Sequence, residues 1–220
     1  NEVGMQFDLS GSGGAGQAVS IYAAKGEDWS SGTSRSATLN FQCKDDGTDQ
    51  VMYQFGNFSD GVNQHKFYTE GAERMRIHED GEITTSAQPM FDAGRNAGYQ
   101  ADDNDFVQDQ VRVNIGSHYD SSNGRFTAPV AGRYLFSFRI FTHDSGGVVQ
   151  AEVTLKKNGS DHHIFRAHKV GGYHTPVQGT KVVDLAANDY VNTYVGDSGT
   201  SSGWMGSAGE YNYFTGFLIG

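Results

Sequence analysis

Hydrophobic residues in this chain recur at every second position far more often than at every third or fourth. The plainest run is Gly132-Arg-Tyr-Leu-Phe-Ser-Phe-Arg-Ile-Phe141, where Tyr134, Phe136, Phe138 and Ile140 share one face and Arg133, Leu135, Ser137, Arg139 and Phe141 the other. That alternation predicts a strand with one face in a core. From Val111 onward, runs of Val, Ile, Phe, Tyr and Thr are separated by the turn clusters Ser121-Ser-Asn-Gly124, Asp144-Ser-Gly-Gly147, Asn158-Gly159 and Ala187-Asn-Asp189. Strands at this spacing predict an antiparallel all-β domain. The last run sets Tyr211, Tyr213, Phe217 and Ile219 on one side and Phe214, Gly216 and Leu218 on the other. A strand apolar on both faces predicts cover from a neighbouring subunit, because a lone antiparallel sheet normally wets one face.

The first 87 residues pattern differently. Leu39, Phe41 and Cys43, then Val51, Tyr53 and Phe55, alternate on either side of the polar turn Lys44-Asp-Asp-Gly-Thr-Asp49, which predicts a hairpin. A second pair of short runs, Lys66 to Thr69 and Met75 to Ile77, flanks Glu70-Gly-Ala-Glu73. Hairpins this poor in large apolar residues are marginal alone, so they are expected to pack around copies of themselves as a trimeric shaft or collar. The small polar stretch Thr84-Thr-Ser-Ala-Gln-Pro89 marks the boundary, giving domains 1–87 and 88–220.

Composition narrows the classes. Thirty glycines with only three prolines, at 36% hydrophobic residues, fit neither a disordered chain nor collagen, whose glycine falls at every third position. No apolar run reaches the roughly 18 residues of a membrane-spanning helix, and the N-terminus has neither a start methionine nor a signal-like segment, so the chain reads as a piece of something longer. A net charge of −10 with no basic patch argues against nucleic acid and against membrane insertion. Cys43, the single cysteine, has no intrachain partner and reads as a small buried hydrophobe.

Several short motifs invite catalytic readings and fail on context. Gly11-Ser-Gly13-Gly-Ala-Gly16 matches the dinucleotide fingerprint, but the following Gln17-Ala-Val-Ser-Ile-Tyr22 alternates like a strand where a helix is needed. Gly196-Asp-Ser-Gly199 and Gly199-Thr-Ser-Ser-Gly203 resemble hydrolase nucleophile stretches without the required partners or turn, and read as a Gly/Ser-rich loop. His162, His163, His168 and His174 lie close in sequence, and around a three-fold axis one His per chain supplies three nitrogen ligands. No helical pair fixes a metal, so His162, His163 and His168 are weak candidates only. Asp102-Asp-Asn-Asp105 reads as a solvated loop, with calcium a minority reading. No catalytic residue and no cofactor is expected.

Five blocks then fall in the order of a known family. They are Asn114-Ile-Gly116-Ser-His-Tyr119-Asp120, Gly124-Arg-Phe-Thr-Ala-Pro-Val-Ala-Gly132-Arg-Tyr134-Leu-Phe136-Ser-Phe138, Asn158-Gly159, Asn188-Asp189-Tyr190-Val191 and Phe214-Thr-Gly216-Phe217-Leu218. Over about 130 residues, from Pro89 to Gly220, the chain resembles the globular head of complement C1q. Asn188-Asp189 and Asn123-Gly124 replace the family's usual Gly-Asp and Thr-Gly, exchanges compatible with turns. The resemblance implies a ten-stranded jelly roll of the tumour-necrosis-factor-like kind and a close homotrimer. Upstream, Glu73-Arg-Met-Arg-Ile77, leading to Gly81-Glu-Ile83, is similar to hairpin repeats of tailed-bacteriophage tail fibres.

The joint expectation is a homotrimeric tail-fibre tip on the virion, made in the host cytoplasm. It would join the rest of the fibre to a host receptor, whether glycan, lipopolysaccharide or protein. One alternative is a secreted C1q-like binding module, for which Asn57-Phe-Ser59 and Asn158-Gly-Ser160 would be glycosylation acceptors. Another is a fibre-borne polysaccharide-degrading enzyme. Strand parity places the loops Gly196 to Glu210, His143 to Gly147 and Gly171 to Thr175 at the end far from the termini, and Asn158-Gly159 and Ala187-Asn188 at the base. Trp204, Met205, Tyr173, His174, His143 and Asp144 are the receptor-binding candidates, with Trp204 either a lid on its own barrel or an exposed stacking platform.

Overall fold

Period-two alternation is realised as strands in both halves of the described chain. The computed structural model describes residues 2–9, 17–25, 37–45, 48–57, 62–143, 149–169, 172–196, 203–205 and 210–220. Asp144, the glycine-rich stretch 10–16 and Phe58-Ser59 of the first glycosylation motif lie outside them. The chain divides into two units, Asn1–Ala87 and Gln88–Gly220. No helix of the described residues is long and apolar enough to cross a membrane.

The N-terminal unit is one antiparallel meander of β1 (Glu2–Leu9), β2 (Gln17–Lys25), β3 (Ala37–Asp45), β4 (Thr48–Asn57), β5 (Asn63–Thr69), β6 (Ala72–Ile77) and β7 (Ile83–Thr84), each paired with the next. The two expected hairpins are therefore neighbours in a single sheet. Its register lines up two cross-strand rows. Ile21, Phe41, Tyr53, Phe67 and Met75 form one, and Ala23, Leu39, Phe55, His65, Ile77 and Ile83 the other. Ring contacts run along both, with Tyr53 and Phe67 4.8 Å apart and Phe55 stacked on His65 at 5.7 Å. The opposite face is polar: Tyr68 donates to Gln54, and Gln54 to Asn40. Among the side chains of this unit whose burial is described, the only buried ones are Asn40 and Gln64, both polar. Cys43 is half-buried rather than buried, because among the described residues of the unit no second layer lies over its face.

The C-terminal unit contains β8 (Met90–Gly94), β9 (Asn104–Asp105), β10 (Gln110–Ile115), β11 (Tyr119–Asp120), β12 (Arg125–Thr127), β13 (Gly132–Phe141), β14 (Val149–Lys157), β15 (Ser160–Lys169), β16 (Pro176–Leu185), β17 (Tyr190–Val195) and β18 (Tyr213–Leu218). They form two antiparallel sheets, β10-β8-β18-β13-β16 and β11-β12-β17-β14-β15, with β9 beside β17. This is an all-β jelly roll. Tyr134, Phe136, Phe138 and Ile140 of β13 point into the core, as the alternation predicts.

At the centre Phe91 is fully buried, stacked on Tyr119 at 4.6 Å and Phe126 at 5.1 Å, with Phe214 edge-on at 4.9 Å. Gly216 makes room for this cluster: a Cβ there would lie 2.6 Å from the Phe136 ring and 2.7 Å from that of Phe91.

At the base, two turns are clasped by one carboxylate. Asp189 accepts from Asn158 Nδ2 at 2.8 Å and from the Ala186 amide at 2.8 Å, and pairs with Lys157 at 2.9 Å. Asn158, the first residue of the second glycosylation motif, uses its other side-chain atom to accept the Tyr190 amide at 2.9 Å. Hydrogen bonds from Asn158, Lys157 and the Ala186 amide hold the Asp189 carboxyl down at about 2.

Two measurements check this packing. Phe91→Ala should cost about 3–5 kcal/mol of unfolding free energy in urea titration; a loss under about 1 kcal/mol would contradict the central stack. Asp189 has a folded pKa below the unfolded value of about 3.9, so its contribution is fully present above that pH and is lost as pH falls towards about 2. Between about pH 4 and pH 2 the wild type should therefore lose stability more steeply than Asp189→Asn.

Candidate functional site

Antiparallel alternation brings one set of strand ends together, away from the base clasp. The end of β13, the start of β16, the end of β17 and the start of β18 meet there, and the segment Gly203 to Met205 is stitched across them. Trp204 exchanges backbone hydrogen bonds with Gln100 at 2.7 and 3.0 Å, Met205 donates to the Phe141 carbonyl at 2.8 Å, and His143 donates to that of Gly203 at 3.0 Å. Buried Asn212 locks the seam: its Nδ2 donates to the Met205 carbonyl at 2.6 Å and its Oδ1 accepts the Phe141 amide at 2.9 Å. Gly203 has φ of +69°, and a Cβ there would sit 2.2 Å from the Gln100 carbonyl oxygen. Only glycine meets both conditions.

Trp204 has no exposed surface, and its Nε1 donates to the Gly196 carbonyl at 3.1 Å. It is a lid packed on its own barrel. Met205 beside it is 8% exposed. Neither can be a stacking platform for a partner while this seam is closed, because the indole's apolar surface and its single donor are both already used.

Below the lid lies a buried polar layer. Arg95 is 6% exposed; it donates to the Val107 carbonyl at 2.6 Å, the Gly98 carbonyl at 3.0 and 3.2 Å and Gln100 Oε1 at 3.1 Å, and its guanidinium lies over the Phe106 ring at 4.9 Å. Burial holds its pKa below the ordinary arginine value, with the Asp109 charge acting in the opposite sense. Burial also pushes the Asp109 carboxyl up, but the Asn96 and Ala97 amides, together with the Arg95 charge, bring it below its ordinary value. These contacts tie down the segment that carries Tyr99.

The rim around the lid is aromatic. Tyr99, 56% exposed, meets His143 edge-on at 4.6 Å, and His143 meets His174 edge-on at 5.7 Å. His174 Nδ1 lies 3.0 Å from the Thr142 carbonyl oxygen. A carbonyl only accepts, so Nδ1 carries the proton and Nε2 is the acceptor of the neutral ring. Tyr173, next in the chain, is 71% exposed. Of the sequence candidates, His143, His174 and Tyr173 thus reach this surface, Trp204 and Met205 lie beneath it, and Asp144 falls outside the described residues. Tyr99 was not legible as a member; an aromatic directly after the loop-like stretch Gly94 to Gly98 was the available signal.

The remaining histidines do not gather. Alternation along β15 sends His163, in ring contact with Phe165 at 4.8 Å, to the face opposite His168, and His162 sits at a break in the β14–β15 register. His162 and His168 are themselves six positions apart, about 20 Å along a strand. Burial, with the charges of Lys157, Lys181 and His163, holds the His162 imidazole below its ordinary value. Among the described residues no three His, Cys, Asp or Glu side chains come together as a metal site.

Comparison with known proteins bears on the same unit. A model of the C1q domain matches residues 90–219. The human and mouse proteins named Complement C1q tumor necrosis factor-related protein 3 are each 27% identical over 137 residues, which is 62% of this chain and 53% of theirs. The chain therefore spans about half the length of these curated relatives. The globular domain of zebrafish complement 1qA is similar at 22% identity and a TM-score of 0.49, over 60% of this chain and 98% of that one. These findings overturn the tail-fibre and virion expectation, since the matching curated proteins are vertebrate C1q-related chains. The hairpin motif Glu73-Arg-Met-Arg-Ile77 was too short to carry an origin: charged and apolar alternation before a turn suits any exposed antiparallel hairpin.

The seam makes two expectations. Gly203→Ala should cost about 1–3 kcal/mol in thermal or urea unfolding, from the forced left-handed backbone and the contact with Gln100. In a Trp29→Phe background, Trp204 emission should be blue-shifted and resistant to iodide quenching. Emission typical of a solvated indole would show the seam open in solution.

Proposed function

The chain belongs to the C1q domain family through residues 90–219, and we propose that it works as a homotrimeric, non-enzymatic binding module outside the cell. In this reading the Tyr99, His143, His174 and Tyr173 rim is its recognition surface. The observation that carries the trimer is a row across the outer face of β10-β8-β18-β13-β16. Ile115, Met90, Phe217, Leu135 and Val182 stand in register from edge to edge of that sheet. They have opposite parity to the buried Phe91, Phe136, Val183 and Phe214, so they point away from the chain's own core. Met90, Phe217 and Val182 are nevertheless 38%, 39% and 46% exposed, with Ile219 at 51% nearby. A contiguous apolar row on an outer sheet face is the kind of surface a soluble chain covers by association.

A binding role fits the rim better than a catalytic one. Its groups are aromatic rings and imidazoles offering stacking area and single hydrogen bonds, and the polar residues beneath are engaged in holding backbone. Three copies on one trimer would present three rims, so modest single contacts gain by avidity. Vertebrate C1q-related relatives support an extracellular setting for the chain.

Sedimentation at low micromolar concentration should report a mass near three times 23.9 kDa. Val182→Glu should reduce it to one, because it places a charge in the apolar row; a monodisperse wild-type monomer overturns the trimer. With the trimer intact, Tyr99→Ala combined with Tyr173→Ala should weaken binding to cell-surface or extracellular-matrix fractions by about tenfold or more. Full binding by that variant, with loss instead from Lys157→Ala at the base, would move the recognition surface to the other end.

A further inference from the structure

The N-terminal sheet has an aromatic face, and among the described residues of its own unit nothing covers it. Phe41, Tyr53, Phe55 and Phe67 are only half-buried, and Ile83 is 62% exposed. Among the side chains of this unit whose burial is described, no apolar one reaches the buried state that twenty hydrophobic residues of the C-terminal core reach. A seven-stranded sheet with one face built this way calls for cover on that face.

We infer that this face is an interface between copies of the chain, the sheets of the three copies turning the same face towards a shared axis and covering one another there. The inference rests on the trimer proposed above, and three observations select a second copy as occupant. The two rows carry no Asp, Glu, Lys or Arg. Chains with a net charge of −10 can therefore bring these faces together without stacking like charges. Completing the burial of half-covered aromatic and aliphatic side chains removes on the order of 600–800 Å² per copy, close to the roughly 800 Å² per partner of a stable interface. Finally, only five residues separate Thr84 at the end of β7 from Met90 at the start of β8. Association of the C-terminal units would hold the N-terminal sheets at high effective concentration, so even a weak face-to-face contact would form.

Cys43 provides a reporter, since it alternates with Leu39 and Phe41 on β3 and is the single cysteine. In the full-length wild type its alkylation by a maleimide should be at least tenfold slower than in the urea-unfolded chain. Phe55→Asp, and independently Phe67→Asp, should restore the fast rate while the sedimentation mass stays at three chains; Phe55→Leu should leave it slow. The monomer made by Val182→Glu should also react fast.

Fast alkylation in a wild type of trimeric mass overturns the inference and leaves the trimer standing. Slow alkylation in the Val182→Glu monomer overturns it too, because the cover would then come from the same chain. A wild-type mass of one chain sinks the trimer, a result read from the mass alone. Fast Cys43 in that monomer also removes the face contact, whereas slow Cys43 assigns the cover to the chain itself.

Discussion

A β-sheet has two faces, and an apolar face left in water costs free energy in proportion to its area. In the C-terminal unit the two sheets cover each other's inner faces, and the Phe91 cluster fills the space between them. Everything at the lid end depends on that sandwich, since it fixes where the strands stop and so where Gly203, Gln100 and Phe141 can reach one another. The outer face of β10-β8-β18-β13-β16 and the aromatic face of the N-terminal meander are subject to the same constraint, and within each unit the described residues supply no layer over them. Association between copies, as proposed above, would meet both needs and would account for seven strands in a unit whose described side chains are buried only at Asn40 and Gln64.

Much of this was legible from local sequence. The alternation in Gly132 to Phe141 needs only neighbouring residues to read, and the turn pairs Asn158-Gly159 and Asn188-Asp189 announce themselves through residues that tolerate positive φ, observed at Asn158 and Asn188. The parity argument that sorted loops to two ends works because antiparallel strands reverse at each turn. What local reading could not reach were decisions made by distant partners. Trp204 sits among glycines and serines, which say loop. Its burial is decided by Gln100, some hundred positions earlier, and by Gly196 and Phe141. Cys43 has the size and polarity of a core residue, but burial requires a second layer that its unit does not supply. The phage reading failed for a related reason: a hairpin's alternation and turn are set by the physics of strands and say little about which organism uses them.

The polar interior of the lid end is economical in its pairing. Arg95 finds carbonyl and amide oxygens for its donors, Gln108 donates to Thr193 at 3.0 Å, and Tyr119 donates to the Gln108 carbonyl at 2.9 Å. Burial raises the Tyr119 phenol well above its ordinary value, which keeps it a neutral donor at any physiological pH. A satisfied network of this kind resists sliding, because moving one member leaves another buried and unpaired. The rim side chains are consequently mounted on a stiff floor.

The Trp204 anchor also bears on how this surface can diverge. The connection from Val195 to Tyr213 is long, but fixing Gly203 to Met205 against the barrel divides it into two shorter closures. The entropy of closing a loop grows only with the logarithm of its length, so inserting or deleting residues in one closure changes the cost by a fraction of a kcal/mol. With the pin in place, a length change on one side need not propagate to the other. Drift in sequence and size within one closure thus leaves the other closure and the barrel strands almost untouched, a division that lets this end of the barrel vary without renegotiating stability each time.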